Sequence, residues 1–69
     1  MKRLIRNKST QTFLTSDGKW TSDYHNAWDI PEYRQALATV ERLELHNVEV
    51  YYCYDDEKTS QVNFAVPLE

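Results

Sequence analysis

Only one segment of the sequence has apolar residues at the spacing of a helix long enough to cover a sheet. These residues recur at intervals of three and four, and they are Tyr33, Ala36, Leu37, Val40 and Leu43. Upstream, Asp29 and Glu32 stand on either side of Pro31 in an arrangement that resembles a capping box and predicts the helix start. The helix is predicted to end near His46, because Asn47 readily adopts the left-handed conformation of a helix end.

Ahead of the helix, the sequence predicts a small antiparallel meander. Residues 2–6 form its first predicted strand. Asp17-Gly18 predicts a two-residue type I′ turn between two further short strands, because both central positions of that turn need a positive φ. A turn of this length would place Phe13 and Trp20 diagonally on one face of the sheet.

Behind the helix, residues 48–54 and 61–66 alternate between apolar and polar side chains and predict two more strands. The order of elements therefore predicts an α+β fold, with an antiparallel sheet of four to five strands and one main helix packed on one face, ββ(β)αββ. We expect a single domain over residues 1–67, followed by Leu68 and Glu69 as a candidate remnant of an expression tag.

One helix covers one face of a sheet, so the opposite face is predicted to be open. Strand alternation places Val48, Val50 and Tyr52 under the helix. The candidate contact surface for another protein, or for a second copy of the chain, then consists of Tyr51, Glu49, Asn63 and Ala65. The alternative is that loops cover this face as well.

These assignments predict different outcomes for two substitutions. Leu37→Ala would open a core cavity, because Leu37 belongs to the apolar stripe of the helix. Tyr51→Ser would cost less stability and would weaken partner binding, because Tyr51 is predicted to be exposed on the open face.

The chain is short for a domain without a covalent staple. Its 69 residues bury a smaller share of their surface than a larger domain does, and a lone cysteine cannot form an intrachain disulfide. Aromatic residues make up 13% of the chain and are predicted to fill much of the core. A homodimer would be another route to stability.

The sequence carries no signature of catalysis, so we expect a protein that is not an enzyme and has no metal and no cofactor. One glycine cannot build a phosphate-binding loop, and the carboxylates of residues 55–57 are typical of a solvated turn. Cys53 with His25 or His46 would be needed for thiol–imidazole chemistry, and nothing in the sequence brings them together. Cys53 is better interpreted as a small apolar filler in a strand.

Charge is unevenly distributed along the chain. Residues 1–19 carry five basic side chains against one acidic, whereas residues 20–69 carry three against ten. The candidate nucleic-acid contacts are Lys2, Arg3, Arg6, Lys8 and Lys19, with Trp20 stacking on a base. The alternative is that these charges keep strand edges from aggregating. A sequence pI of about 5.3 makes nucleic acid the less favoured partner.

No apolar run in the sequence approaches the length of a membrane span. The segment Met1-Lys2-Arg3 has the charge of a signal-peptide start, but no apolar stretch follows it. A lone cysteine also suits a reducing compartment. We therefore expect a cytoplasmic protein without a membrane partner.

A spaced set of residues precedes the helix, and it reads Phe13-Leu14 and then Gly18-x-Trp20-Thr21-x-Asp23-x-x-x-Ala27. Followed by a helix and a strand pair, this set resembles small uncharacterised bacterial or phage domains over about half of the chain. The resemblance supports the fold and implies no activity and no site. From the residues themselves we expect a small non-enzymatic protein-interaction or regulatory module, with a nucleic-acid-binding domain as the alternative.

Overall fold

A computed structural model describes residues 2–53 and 63–67, with the backbone alone described at Asn63 and Phe64. Its elements are β1 (Lys2–Asn7), β2 (Phe13–Leu14), β3 (Trp20–Thr21), α1 (Tyr33–Arg42), β4 (Val48–Cys53) and β5 (Asn63–Pro67). A short 3₁₀ helix, Tyr24–Asn26, lies between β3 and α1. The predicted carboxylate turn at 55–57 and the predicted strand residues 54, 61 and 62 lie outside the described residues.

The five strands form one antiparallel sheet in the order β3-β2-β1-β4-β5. β1 and β4 lie at its centre and pair along their whole length, from Lys2 opposite Cys53 to Asn7 opposite Val48. α1 packs on one face of this sheet. The predicted α+β fold, with one main helix and an antiparallel sheet, is therefore confirmed.

The core between α1 and the sheet is built from residues that are far apart in the sequence. Its buried members are Ile5, Leu14, Ile30, Ala36, Val48 and Val50. Val48 and Val50 face α1 as strand alternation predicted, and Tyr52 packs against the same cluster. The small side chain of Ala36 allows the helix backbone to come close to the sheet, so residues of β1, β2 and β4 all contribute to one core.

The buried stripe of α1 is rotated relative to the sequence prediction. Leu37 is 42% exposed and Tyr33 is 37% exposed, whereas Ala36 and Thr39 are buried. Successive residues on a helix are about 100° apart, so Leu37 points sideways when Ala36 faces the sheet. The prediction that Leu37 fills the core is therefore wrong.

α1 starts later than the capping pattern predicted. Its first residue is Tyr33, and its N-cap residue Glu32 makes no side-chain capping hydrogen bond. The carboxylate of Asp29 instead accepts a hydrogen bond from the backbone N–H of Arg3, at 3.2 Å. A contact with β1 has therefore replaced the local cap.

α1 also ends earlier than predicted. Glu44 takes the left-handed conformation, with φ of 52°. The N–H of Glu44 donates to the carbonyl of Glu41 at 3.2 Å, and the N–H of Leu45 donates to the carbonyl of Val40 at 2.9 Å. These two bonds form a Schellman motif. Asn47 also has a positive φ, 58°, but it lies beyond the helix end.

The β2–β3 hairpin has a longer loop than the predicted two-residue turn. Leu14 pairs with Trp20, so residues 15–19 form the loop. Gly18 is the loop residue with a positive φ, 83°. One positive φ suits a type I turn followed by a glycine bulge, whereas a type I′ turn needs two. The register is therefore shifted by one residue, and Phe13 and Trp20 lie on opposite faces rather than on one.

The segment between the 3₁₀ helix and α1 is tied to the sheet. The N–H of Trp28 donates to the carbonyl of Leu14 at 3.0 Å, and the N–H of Ile30 donates to the carbonyl of Arg3 at 2.8 Å. The Arg3 guanidinium in turn donates to the carbonyls of Ile30, at 3.0 Å, and Pro31, at 2.6 Å. Arg3 therefore fixes where the chain enters α1.

The sheet face opposite α1 also contains buried side chains. Leu4, Phe13 and Cys53 are all buried, although they lie on this face. Leu4 pairs with Tyr51, and the ring centroids of Phe13 and Tyr51 are 5.6 Å apart. Large side chains on the sheet thus cover part of the face themselves. The face is partly closed, which corrects the expectation of an open one.

Candidate functional site

The predicted protein-contact residues lie in different environments. Tyr51 is half-buried, with the Arg6 guanidinium 4.6 Å from its ring centroid. Glu49 is 6% exposed, and its Oε1 lies 3.2 Å from Nη2 of Arg6. Ala65 is exposed, and the side chain of Asn63 lies outside the described part of the chain. A contact role for these four residues stays a prediction. Glu49 has little exposed surface with which a partner could make contact.

The Arg6 cluster, defined as Arg6, Glu49 and Tyr51, is held together within the chain. Arg6 pairs with a buried carboxylate and lies over an aromatic ring, and both contacts favour a fixed guanidinium. Its Nε is buried without a hydrogen-bond partner among the described residues. We infer that this cluster stabilises the sheet face opposite α1.

The predicted nucleic-acid contacts on β1 point to two different faces. Lys2 and Arg6 lie on the face opposite α1, where Lys2 Nζ is 5.5 Å from the ring centroid of Tyr24. Arg3 lies on the helix side, where its guanidinium is 5.4 Å from the ring centroid of Tyr52. Strand alternation therefore separates Arg3 from the other two cations.

The remaining predicted nucleic-acid contacts do not join the pair on β1. Trp20 is 39% exposed and pairs with Leu14, which places it on the helix side of the sheet. Lys8 lies in the turn after β1, and Lys19 lies in the hairpin loop. The sheet thus separates Lys2 and Arg6 from Arg3 and Trp20, and the nucleic-acid role of the six residues stays a prediction.

An open groove separates the β2–β3 hairpin from α1. One wall is formed by residues 14–18. Trp28, from the segment that connects the hairpin to α1, lines the groove as well. The other wall comprises Gln35, Ala38, Thr39, Arg42 and Leu43. The groove has a volume of about 680 Å³. This is a size that suits a small molecule or a few residues of a peptide.

The groove has an apolar interior. Leu14 is buried at its base and belongs to the main core, and Trp28 is half-buried and packs against that core. Leu43 lines the groove and remains 42% exposed. Leu37, inside α1, is exposed to the same extent as Leu43, the C-cap residue of that helix, but does not line the groove. An occupant of the groove would therefore cover Leu43 and leave Leu37 in solvent.

Two opposite charges belong to the two walls of the groove. Asp17, in the hairpin loop, accepts a hydrogen bond from the Thr15 hydroxyl, and this bond holds the pKa of the Asp17 carboxyl below its usual range. Arg42 lies in the last turn of α1 and forms no ion pair with any described residue. Asp17 is therefore ionised at neutral pH, and both charges remain available to an occupant.

Sequence reasoning did not find this groove. The helical spacing predicts Leu43 in the buried stripe of the helix, whereas it is exposed in the structure. The groove depends on the five-residue hairpin loop and on the position of α1 over β1, neither of which the sequence pattern specified. The combination of Trp28 and Arg42 around an exposed leucine is visible once these elements are placed.

The described residues contain no group of three histidine, cysteine or acidic side chains that is close enough to hold a metal ion. Cys53 is a buried free thiol. Within residues 2–53 and 63–67, no helix combines the length and the apolar character that crossing a membrane requires.

No protein-family model, no curated protein and no solved structure matches the chain. The functional argument therefore rests on the geometry of the groove.

Proposed function

We propose that this protein is a small non-enzymatic interaction module whose groove, between the β2–β3 hairpin and α1, receives a segment of a partner protein. The observation that carries the proposal is Leu43, which is 42% exposed beside Trp28 and the buried Leu14 in that groove. Interface centres combine apolar and aromatic side chains inside a polar rim. Asp17 and Arg42 supply charged groups for such a rim.

The groove is a better candidate than the face that bears Tyr51. On that face, Arg6 and Phe13 already contact the Tyr51 ring, and Arg6 pairs with Glu49. A partner would have to compete with these contacts. In the groove, Leu43 is exposed and Arg42 has no ion pair among the described residues, so a partner could contact both without displacing an ion pair.

The chemistry of the groove supports a binding role rather than a catalytic one. Its carboxylate, Asp17, is exposed and has a lowered pKa, so it is a weak base at neutral pH. The Thr39 hydroxyl donates to the carbonyl of Gln35 at 2.8 Å and is therefore engaged. The Thr15 hydroxyl lies beside the Asp17 carboxylate in the groove, but a carboxylate with a lowered pKa is too weak a base to activate a hydroxyl efficiently.

The groove can be tested with two equally exposed leucines, Leu37 in α1 and Leu43 at the C-cap of the helix. A random peptide library displayed on phage is selected against the wild-type protein, and the enriched peptides are then titrated against Leu43→Gln and Leu37→Gln. We expect Leu43→Gln to weaken these peptides by about tenfold, the equivalent of one lost apolar anchor. Leu37→Gln should leave their affinity unchanged, because Leu37 does not line the groove.

Thermal melting of both variants controls for folding, and the two melting temperatures should be similar. Equal loss of binding in both variants, or no groove-dependent peptide at all, would contradict the proposal. Sedimentation velocity of the free protein tests the second copy of the chain as occupant. A dimer that Leu43→Gln converts to a monomer would identify a self-interaction module.

Nucleic acid is the competing partner class, and we expect no measurable binding to a generic oligonucleotide at physiological salt. Phosphate binding needs cations on one surface, and the candidate cations lie on both faces and in two turns. The informative variant is Lys8→Glu with Lys19→Glu, since Arg3 and Arg6 have structural contacts. Micromolar binding that falls steeply with salt and is lost in this variant would reverse the ranking.

A further inference from the structure

We infer that the groove selects and orients its peptide by charge, taking a segment in which an apolar side chain lies between an acidic residue beside Arg42 and a basic residue beside Asp17. This inference rests on the proposed function. It names the partner chemistry that the same groove would recognise, and it concerns a segment of a different protein rather than a free small molecule or a second copy.

The first support is the position of the charges. Asp17 belongs to the hairpin wall and Arg42 to the helix wall, with Leu43 and Trp28 lining the same groove. The two charged groups do not form an ion pair with each other. A peptide lying across the groove would therefore meet a positive group on one wall and a negative group on the other.

The second support is that neither charged group forms an ion pair among the described residues. Arg42 is exposed and forms no ion pair there, so the five donors of its guanidinium can bind a carboxylate in two-point geometry. Asp17 is exposed, and the Thr15 hydroxyl and the nearby Lys19 stabilise its ionised form. Both charges therefore persist at neutral pH.

Exposed charges of this kind affect orientation more than total affinity. The apolar contact with Leu43 and Trp28 would supply most of the binding, whereas rim charges favour one direction of the peptide and disfavour the other. Reversing the two charges of the peptide should therefore weaken it by roughly fivefold at low salt and by less at high salt, because salt screens exposed pairs.

The test is a double exchange of charges. The probes are the peptide enriched by selection against the wild-type protein and the same peptide with its acidic and basic residues interchanged. The proteins are wild type and the variant Asp17→Lys/Arg42→Glu, which keeps the net charge. We expect each peptide to prefer the matching protein by about fivefold, so that the preference inverts between the two proteins.

Arg34→Glu/Glu41→Lys is the matched control, because it exchanges two exposed charges on the same helix outside the groove. It should leave the preference of the wild type unchanged. Enriched peptides that bind with Leu43 dependence but without charge bias, or whose preference fails to invert, would overturn the charge selection and leave the proposed function standing. An absence of any Leu43-dependent peptide would overturn both. Thermal melting confirms that all the variants are folded.

Discussion

Ile5→Ala is expected to remove most of the stability of the protein, whereas Leu37→Ala is expected to leave it folded. Ile5 is fully buried between the sheet and α1, and an alanine there would leave a cavity that costs about 2–5 kcal/mol. Domains of this size rarely have a free energy of unfolding above about 5 kcal/mol. Leu37 is 42% exposed, so its truncation should cost less than about 1 kcal/mol.

Urea denaturation followed by tryptophan fluorescence gives the free energies of unfolding of the wild type and both variants. Both substitutions delete an aliphatic side chain, and the difference in burial should exceed the difference in strand and helix propensity, which is about 1 kcal/mol. If Leu37→Ala were as destabilising as Ile5→Ala, the orientation of α1 described above would be incorrect, and the apolar stripe predicted from the sequence would be restored.

Arg6→Ala is expected to be the second most disruptive change, because it leaves the carboxylate of Glu49 buried without its partner. Loss of one member of a buried ion pair costs about 3–5 kcal/mol, and partial exposure of Arg6 should place this variant near the lower limit. The substitution also removes the guanidinium from the Tyr51 ring. Lys8→Ala is the matched control, since Lys8 has no ion pair among the described residues, and it should cost little.

The double variant Arg6→Met/Glu49→Leu separates the ion pair from the rest of the packing. Replacing both charges with apolar side chains of similar size removes the unpaired carboxylate, so stability should return close to that of the wild type. The readout is again the free energy of unfolding in urea. A double variant as unstable as Arg6→Ala would mean that the ring contact of Arg6, rather than its charge, holds this face together.

The expected effects of the two Arg6 variants also concern Tyr51, whose ring lies beside the Arg6 guanidinium. The sequence predicted an exposed aromatic residue on an open sheet face. In the structure, the Tyr51 ring lies between Phe13 and Arg6 and is half-buried, so Tyr51→Ser would remove two internal contacts. The physical reason is that Arg6 of β1 and Phe13 of β2 cover the Tyr51 ring. Strand alternation alone could not predict how these strands pair.

For the groove as well, the sequence prediction and the structure differ. The sequence predicts Leu43 as a member of the buried helix stripe, but Leu43 is 42% exposed and lines the groove. The groove lies between the β2–β3 hairpin loop and the C-terminal part of α1, two segments that are distant in the sequence. A sequence pattern reports how one element alternates, but it does not report how far a neighbouring element extends over it.

The sequence by itself determined the kinds and order of the elements and the faces of β4. Helical spacing, strand alternation and the Gly18 turn are properties of residues close in the chain, so Val48 and Val50 could be assigned to the helix side correctly. The β2–β3 register follows from the five-residue loop that joins the two strands, whose turn type the Asp17-Gly18 pattern did not specify correctly. The tertiary structure alone decided the start of α1, the exposure of Leu37 and the closure around Tyr51. Each of these depends on contacts between distant segments, such as the bond from the Arg3 N–H to Asp29, and such contacts can outweigh a local preference for a cap.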